Sequence, residues 1–324
     1  VLSAIDDDLA KRGHRVWVIA CAGSQSRGTL ICCGRSLELV DSSRRLRTQV
    51  RVKRLIERLV KRQSIDLVHF HGLDFCEYLP NDGPPLLATL HLPVCLYPNQ
   101  VFDRHQRQLH LHCVSRTQHR TCPAPERLLP PIPNGVRLSQ FTPRTDKQDY
   151  LLTMGRICPE KGYHLALEAA HAAGLPLILA GRVFPYPEHV KYFQERVVPL
   201  LDGRRRFIGP LDRAERARLL ARARCLVIPS LIEETSSLVA MEAFASATPV
   251  VALRRGALPE VVEDGKTGIL VNDLREMISA LGRIRAIDPR TCRREAEKRF
   301  SSEKMLECYS LAYQRLIGGL ANVD

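Results

Sequence analysis

The sequence predicts an α/β protein built as two doubly wound parallel-sheet domains, and three observations carry that prediction. Short apolar runs alternate with helical stretches along most of the chain, the pattern of strands covered on both faces by helices. The alternation breaks at residues 137–149, a polar stretch with Pro143 and no periodicity, which reads as a linker. With 324 residues, each half is long enough to bury a core of its own.

The first element is a helix over residues 1–13, closed by Gly13, which leads into an apolar strand over 14–20. The chain opens on Val1 inside that helix. It is therefore expected to lack the first strand of the N-terminal sheet, the strand a βαβ unit would place before it, and any leader lost with that strand. Over residues 44–62, Leu46, Val50, Leu55 and Leu59 recur at helical spacing among basic residues. They predict a surface helix packed through that apolar stripe. Strands over 66–71 and 86–91, with further apolar pieces around 112–115 and 128–133, complete the first domain. Beyond the linker, strands at 150–155, 175–181, 206–209, 225–229 and 249–253 alternate with helices at 161–173, 188–201, 212–223 and from about Ser237. Domains are expected at 1–140 and 141–300, with a C-terminal helix at 301–324 packing back on the first.

Hydrophobic residues make up 45% and charged residues 26%, a globular composition, and no apolar run reaches the length of a bilayer span. A soluble, cytoplasmic protein is expected. The eleven cysteines are an odd number without CxxC spacing, so they read as reduced thiols rather than as a disulfide framework or a zinc site. His69 and His71 share one face of a strand, but no carboxylate or cysteine near them in sequence completes a metal site. The net charge of +13 suits nucleic acid, an anionic membrane surface or a phosphorylated substrate. Aromatics at 6%, with none interleaved among the basic runs, argue against nucleic acid. A second use for the charge is peripheral docking of the 44–62 helix on anionic lipid at the inner membrane face.

Ligands of open α/β sheets bind beyond the carboxyl ends of the strands, so the loops there are where chemistry is sought. In the loop 229–237, Thr235, Ser236 and Ser237 are expected to open a helix whose first-turn N–H groups favour a phosphate. Glu234 precedes that helix and Glu242 lies in it. A carboxylate beside a phosphate is unfavourable unless it has another task, such as accepting hydrogen bonds from sugar hydroxyls. In the loop 155–162, Arg156 and Lys161 offer a forked donor and a point charge to a diphosphate, which gains negative charge as a glycosidic bond breaks. His91, at the end of the 86–91 strand, can exchange a hydrogen bond with a sugar hydroxyl. The plainer readings are a capped helix with Glu242 on its surface, two solvated basic residues and a structural histidine.

Taken in order, Ile132-Pro133-Asn134-Gly135-Val136, Gly155-Arg156-Ile157-Cys158-Pro159-Glu160-Lys161-Gly162, Glu234 with Glu242 eight residues on, Thr248-Pro249-Val250-Val251, Gly256-Ala257-Leu258-Pro259-Glu260 and Gly265-Lys266-Thr267-Gly268 form a set. The set resembles the retaining glycosyltransferases with two Rossmann-like domains, family 4 of the GT-B fold. The resemblance implies transfer of a sugar from a nucleotide diphosphate sugar, a uridine one, to a hydroxyl acceptor that is a sugar, a lipid-linked sugar or a small molecule. It implies that Arg156 and Lys161 neutralise the diphosphate and that amides near Ser237 and Leu238 hold its distal phosphate, with Ser236 beside them. Glu234 would bind the transferred sugar and Glu242 the ribose, Ile208 would line the donor site, and His91 would lie beside the anomeric centre. No metal or other cofactor is implied. A binding-only relative is the alternative expectation.

Two positions depart from the pattern. Ser237 and Ala247 stand where such enzymes usually carry glycine. The first adds a side chain beside the phosphate. The second is expected to force an alanine toward a left-handed conformation, at a cost of about 1 kcal/mol.

Overall fold

Among the described residues every strand pairing is parallel. The computed structural model describes residues 1–35, 42–102 and 108–319, and the chain divides into two units, Val1–Pro133 with Met305–Asp324, and Asn134–Lys304. Residues 320–324 of the expected C-terminal helix lie outside the described residues.

In the first unit, helix α1 (Leu2–Lys11) leads to strands β1 (Trp17–Ala22) and β2 (Thr29–Arg35), which pair with each other. Helix α2 (Ser42–Arg62) follows, then β3 (Val68–Phe70), β4 (Leu86–Leu90), β5 (Leu109–Cys113) and helix α3 (Arg116–Thr121). Among the described residues β1–β2 and β3–β4–β5 are two separate sheets. Strand β4 is buried along its whole length. Its Leu86, Ala88 and Leu90 join a core with Phe70, Phe75 and Ile56, while Leu87 turns to the other face among Ile5, Ile132, Met305, Tyr309 and Tyr313.

The first strand lies three residues beyond the 14–20 that the sequence suggests at its start, and β2 is an element the sequence reading lacks. Its Cys32 and Cys33 count there as thiols, yet a cysteine packs as a small hydrophobe, and Cys33 is buried. The apolar piece at 128–133 is not a strand. Leu129 makes a single bridge to His112, and Pro130 and Pro131 have no N–H to extend it.

Helix α2 corrects a second expectation. Its inward face is Gln49, Val52, Ile56 and Val60, whereas Leu46 and Val50 of the expected packing stripe are exposed. These two residues line an open groove with Leu55, Arg47, Arg51, Arg54 and Arg58.

The second unit carries one six-stranded sheet in the order β11-β10-β9-β6-β7-β8. Its strands are β6 (Leu151–Met154), β7 (Leu177–Ala180), β8 (Arg205–Phe207), β9 (Cys225–Ile228), β10 (Val250–Leu253) and β11 (Gly268–Val271). The helices are α4 (Tyr163–Ala172), α5 (Pro187–Tyr192), α6 (Arg213–Arg222), α7 (Leu238–Ala245), α8 (Leu258–Val261), α9 (Leu274–Arg283), α10 (Pro289–Arg299) and α11 (Ser302–Ile317).

One predicted helix, 188–201, is broken. Its α-turns end at Tyr192, a π-turn spans Phe193–Val197, and a 3₁₀ turn containing Pro199 ends at Leu200. Residues 134–136 are stitched to the second unit, since Val136 N–H donates to the Phe300 carbonyl at 2.8 Å and Ser302 N–H to the Val136 carbonyl at 2.9 Å. Helix α11 starts in the second unit and from Met305 belongs to the first. Ala247 takes the left-handed conformation expected of it, with φ +58°. Among the described residues no helix is long and apolar enough to cross a membrane, and all eleven cysteines are free.

Candidate active site

The order of the six-stranded sheet reverses between β6 and β9. From β6 the chain winds outward through β7 to β8, and from β9 it winds the other way through β10 to β11. Where two neighbouring strands send their connections to opposite sides, a crevice opens beyond their carboxyl ends. The loops leaving those two strands are 155–162 and 229–237, which carry Arg156, Lys161 and Glu234.

Two glycines let the loops approach each other. Gly162 has φ +64°, and a Cβ there would lie 2.3 Å from the Pro229 carbonyl oxygen, so no other residue fits without displacing the neighbouring loop. Leu231 N–H donates to the Glu160 carbonyl at 2.9 Å across the same contact. As a result Lys161 Nζ reaches Glu234 Oε1 at 2.5 Å, both side chains being largely withdrawn from water. Gly256, φ +53°, lies with its backbone against Glu234, and Ala257 N–H donates to the Glu234 carbonyl at 2.7 Å. Glu234 is thus fixed by the loop after β10 as well as by Lys161. Arg156 is half-exposed and pairs with Glu160 at 3.2 Å.

Helix α7 begins at Leu238, so Thr235 and Ser236 precede it rather than open it, and Ser237 occupies its N-cap position. The Ser237 side chain makes no capping bond, although it is buried, and the Ser236 hydroxyl is buried without a partner. The first N–H groups of any α-helix have no partner within the helix and carry its positive dipole end.

Glu242 is not on the helix surface. It is buried within α7, its Oε1 3.3 Å from Arg216 of α6, and its Oε2 has no hydrogen-bond partner. Burial raises its pKa above the usual carboxylate range, and the Arg216 guanidinium opposes that rise. A buried carboxylate oxygen left unpaired costs about 1–3 kcal/mol, which a ligand hydroxyl donating to it would recover.

The remaining predicted residues stand apart from this group. Ile208 is exposed just beyond β8, the outermost strand, two strands from β6. His91 belongs to the first unit, where its Nε2 lies 2.9 Å from His71 Nδ1. Burial lowers its pKa to about 4, so its ring is neutral at pH 7.

Behind that pair, His69 bonds Tyr313 and Thr89, each at 2.7 Å, and Thr89 also meets His112 at 2.7 Å. Sequence reasoning missed Arg216 as the partner of Glu242. It is one of the arginines of Arg213–Arg222, and only the capping box between Asp212 and Glu215, which sets the start of α6, hints at which one turns inward.

Comparison with known proteins gives a consistent picture. The model for glycosyl transferases group 1 matches residues 148–286, and that for Glycosyltransferase Family 4 matches residues 6–140. A D-inositol 3-phosphate glycosyltransferase of Nocardioides sp. is 44% identical over 81 residues, which are 24% of this chain and 18% of that protein. A glycogen synthase of Mycobacterium tuberculosis is 35% identical over 177 residues, 51% of this chain and 41% of that one. The matched stretches thus span less than half the length of these relatives. In fold, the chain is similar to the Anabaena protein Alr3699/HepE in complex with UDP-glucose. The TM-score is 0.76 at 18% identity, covering 97% of this chain and 95% of that one.

Proposed function

Because the chain belongs to the family 4 glycosyltransferases and has the GT-B fold, we propose that it moves a sugar from a uridine diphosphate sugar to a hydroxyl acceptor with retention of anomeric configuration. The observation that carries the reading is the 2.5 Å contact of Lys161 with Glu234 across the point where the sheet order reverses. It puts a cation for a diphosphate and a carboxylate for sugar hydroxyls side by side. As the glycosidic bond lengthens, negative charge collects on the leaving diphosphate. Lys161, Arg156 and the first-turn amides of α7 at Ser237 and Leu238 stabilise that charge more than they stabilise the intact donor, which is what lowers the barrier.

Glu234 accepts hydrogen bonds from the transferred sugar. Glu242, with one oxygen committed to Arg216 and the other unpaired, accepts from the ribose. The cations of this scheme come from the chain itself, so no metal is required for the transfer. His91, whose ring is neutral at pH 7, can exchange one hydrogen bond with a sugar hydroxyl without adding charge. That a protein of the same fold holds UDP-glucose supports the choice of a uridine donor.

The test is turnover of sugar nucleotides, read as donor hydrolysis and as transfer, in the parent chain and in Glu234→Ala. A loss of about 10²-fold or more is expected; turnover of the variant equal to the parent overturns the assignment. Binding of UDP by calorimetry with no turnover in either protein identifies a binding-only relative.

A cytoplasmic enzyme resting on the inner membrane face is favoured by α2, whose exposed Leu46 and Val50 sit in a groove flanked by four arginines, Arg47, Arg51, Arg54 and Arg58. Co-sedimentation with vesicles is expected to rise with anionic lipid content and to fall when Arg47 and Arg51 become glutamate. Binding indifferent to anionic lipid removes this part of the reading.

A further inference from the structure

The loops that leave β6 and β7 bring three metal-ligating side chains together: Cys158 and Glu160, which lie between Arg156 and Lys161 in sequence, and His189. One ligand atom from each lies within 4.8 Å of the others. The backbone that holds them is fixed. Gly155 N–H donates to the Ala180 carbonyl at 3.0 Å and Ile157 N–H to the Arg182 carbonyl at 2.9 Å, which ties the two loops side by side, and His189 stands on α5 shortly after. Cys158 is fully buried and His189 is 6% exposed, whereas Glu160 opens toward solvent.

A second feature points to a ligand. His189 Nδ1 is buried with no hydrogen-bond partner, although leaving such an atom unpaired is costly and a thiol and a carboxylate stand beside it. We propose that Cys158, Glu160 and His189 form a site for one thiophilic divalent cation of the Zn²⁺ kind.

The donor set selects the metal. A thiolate with an imidazole suits Zn²⁺ and its softer neighbours and disfavours Mg²⁺ and Ca²⁺, which take oxygen ligands. Three protein ligands leave a fourth tetrahedral position for water. Binding forms the metal–sulfur bond and releases the thiol proton to solvent. The metal also takes up the Glu160 carboxylate, so Arg156 loses the partner it holds at 3.2 Å. In sequence the three ligands form no paired motif, since cysteine and glutamate are two residues apart and the histidine follows far along the chain.

The experiment is titration of the full chain with Co²⁺, followed by its thiolate-to-cobalt charge-transfer absorption in the near ultraviolet and by displacement with Zn²⁺. The parent is expected to take up one more cobalt than Cys158→Ser, with the ten remaining cysteines common to both. Glu160→Gln and His189→Gln, which leave the thiol in place, are expected to weaken binding at this site by about tenfold or more. Equal cobalt stoichiometry and spectra in the parent and folded Cys158→Ser overturn the proposal. Should Cys158→Ser not fold, unchanged affinity in both glutamine variants overturns it equally.

Discussion

The two units of this chain are made of the same parts, parallel strands with helices over them, but one buried polar cluster in each treats its hydrogen-bonding groups differently. In the first unit His69, Thr89, His112, Tyr309 and Tyr313 satisfy one another in a buried network. In the second, the groups at the strand ends of the six-stranded sheet include a buried Glu242 oxygen and a Ser236 hydroxyl without partners, beside a Lys161–Glu234 pair. A polar network closed on itself contributes rigidity. Polar atoms left unpaired at a crevice await a ligand that completes them. The difference teaches that the chemistry of a fold is found where hydrogen-bonding capacity is unspent, rather than where polar residues are most numerous.

The largest effect expected from that contrast is on turnover. Lys161→Ala removes the cation opposite the leaving group, and kcat should fall by about 10²–10³-fold, on the order of 3–4 kcal/mol of barrier, with far less change in KM. Steady-state kinetics with a UDP-sugar measures it. A variant that keeps kcat within threefold would mean that the pair with Glu234 is a structural ion pair, and the contrast between the units would then collapse.

The next effect falls on the first unit and concerns stability. Burial lowers His71 to about 3 and His91 and His112 to about 4, against an ordinary value of 6.5. Between pH 6.5 and about 4 the unfolded chain takes up protons that the folded chain refuses, so stability falls as the solution is acidified through that window. Each group contributes up to about 1.4 kcal/mol per pH unit, and the loss levels off below about pH 4 for His91 and His112 and below about pH 3 for His71, where the folded state also protonates. Urea midpoints measured from pH 7.5 to pH 4.5 should show this slope, and His112→Asn, which removes one of the three groups, should reduce it. A stability flat across that window would show that the histidines are not neutral and enclosed, which is the basis of the comparison.

How much of this was legible from the residues alone depends on how local each cause is. The loops with Arg156, Lys161 and Glu234 were readable because strand ends are marked by short apolar runs followed by glycine, proline or polar residues. Strand β2 was not, because two cysteines and Gly34 mask its alternation. The partner of Glu242 lies on a different helix, and that of His69 is Tyr313, 244 residues away. Such contacts are set by how elements pack, which spacing along the chain does not encode. Helix α2 shows the limit on a helical stripe. With leucine, valine and isoleucine on more than one face, periodicity alone does not say which face the core takes, and the core took Val52, Ile56 and Val60.

The smallest effect expected separates the units through one left-handed alanine in each, Ala124 at φ +50° and Ala247 at φ +58°. An L-residue held there is strained by about 1–2 kcal/mol relative to glycine. Against that relief, glycine adds about 0.4–1 kcal/mol of unfolded-chain entropy. Ala124 is only half-buried, so Ala124→Gly should leave a net gain of up to about 1.6 kcal/mol. Ala247 is 1% exposed, directly after the helix that carries Glu242, and its methyl contributes about 0.8 kcal/mol by burial. Its three terms nearly cancel, so Ala247→Gly should change stability by less than about 0.5 kcal/mol. Denaturant midpoints of the two variants decide the matter. If Ala247→Gly stabilises the protein as much as Ala124→Gly does, the packed methyl adds nothing.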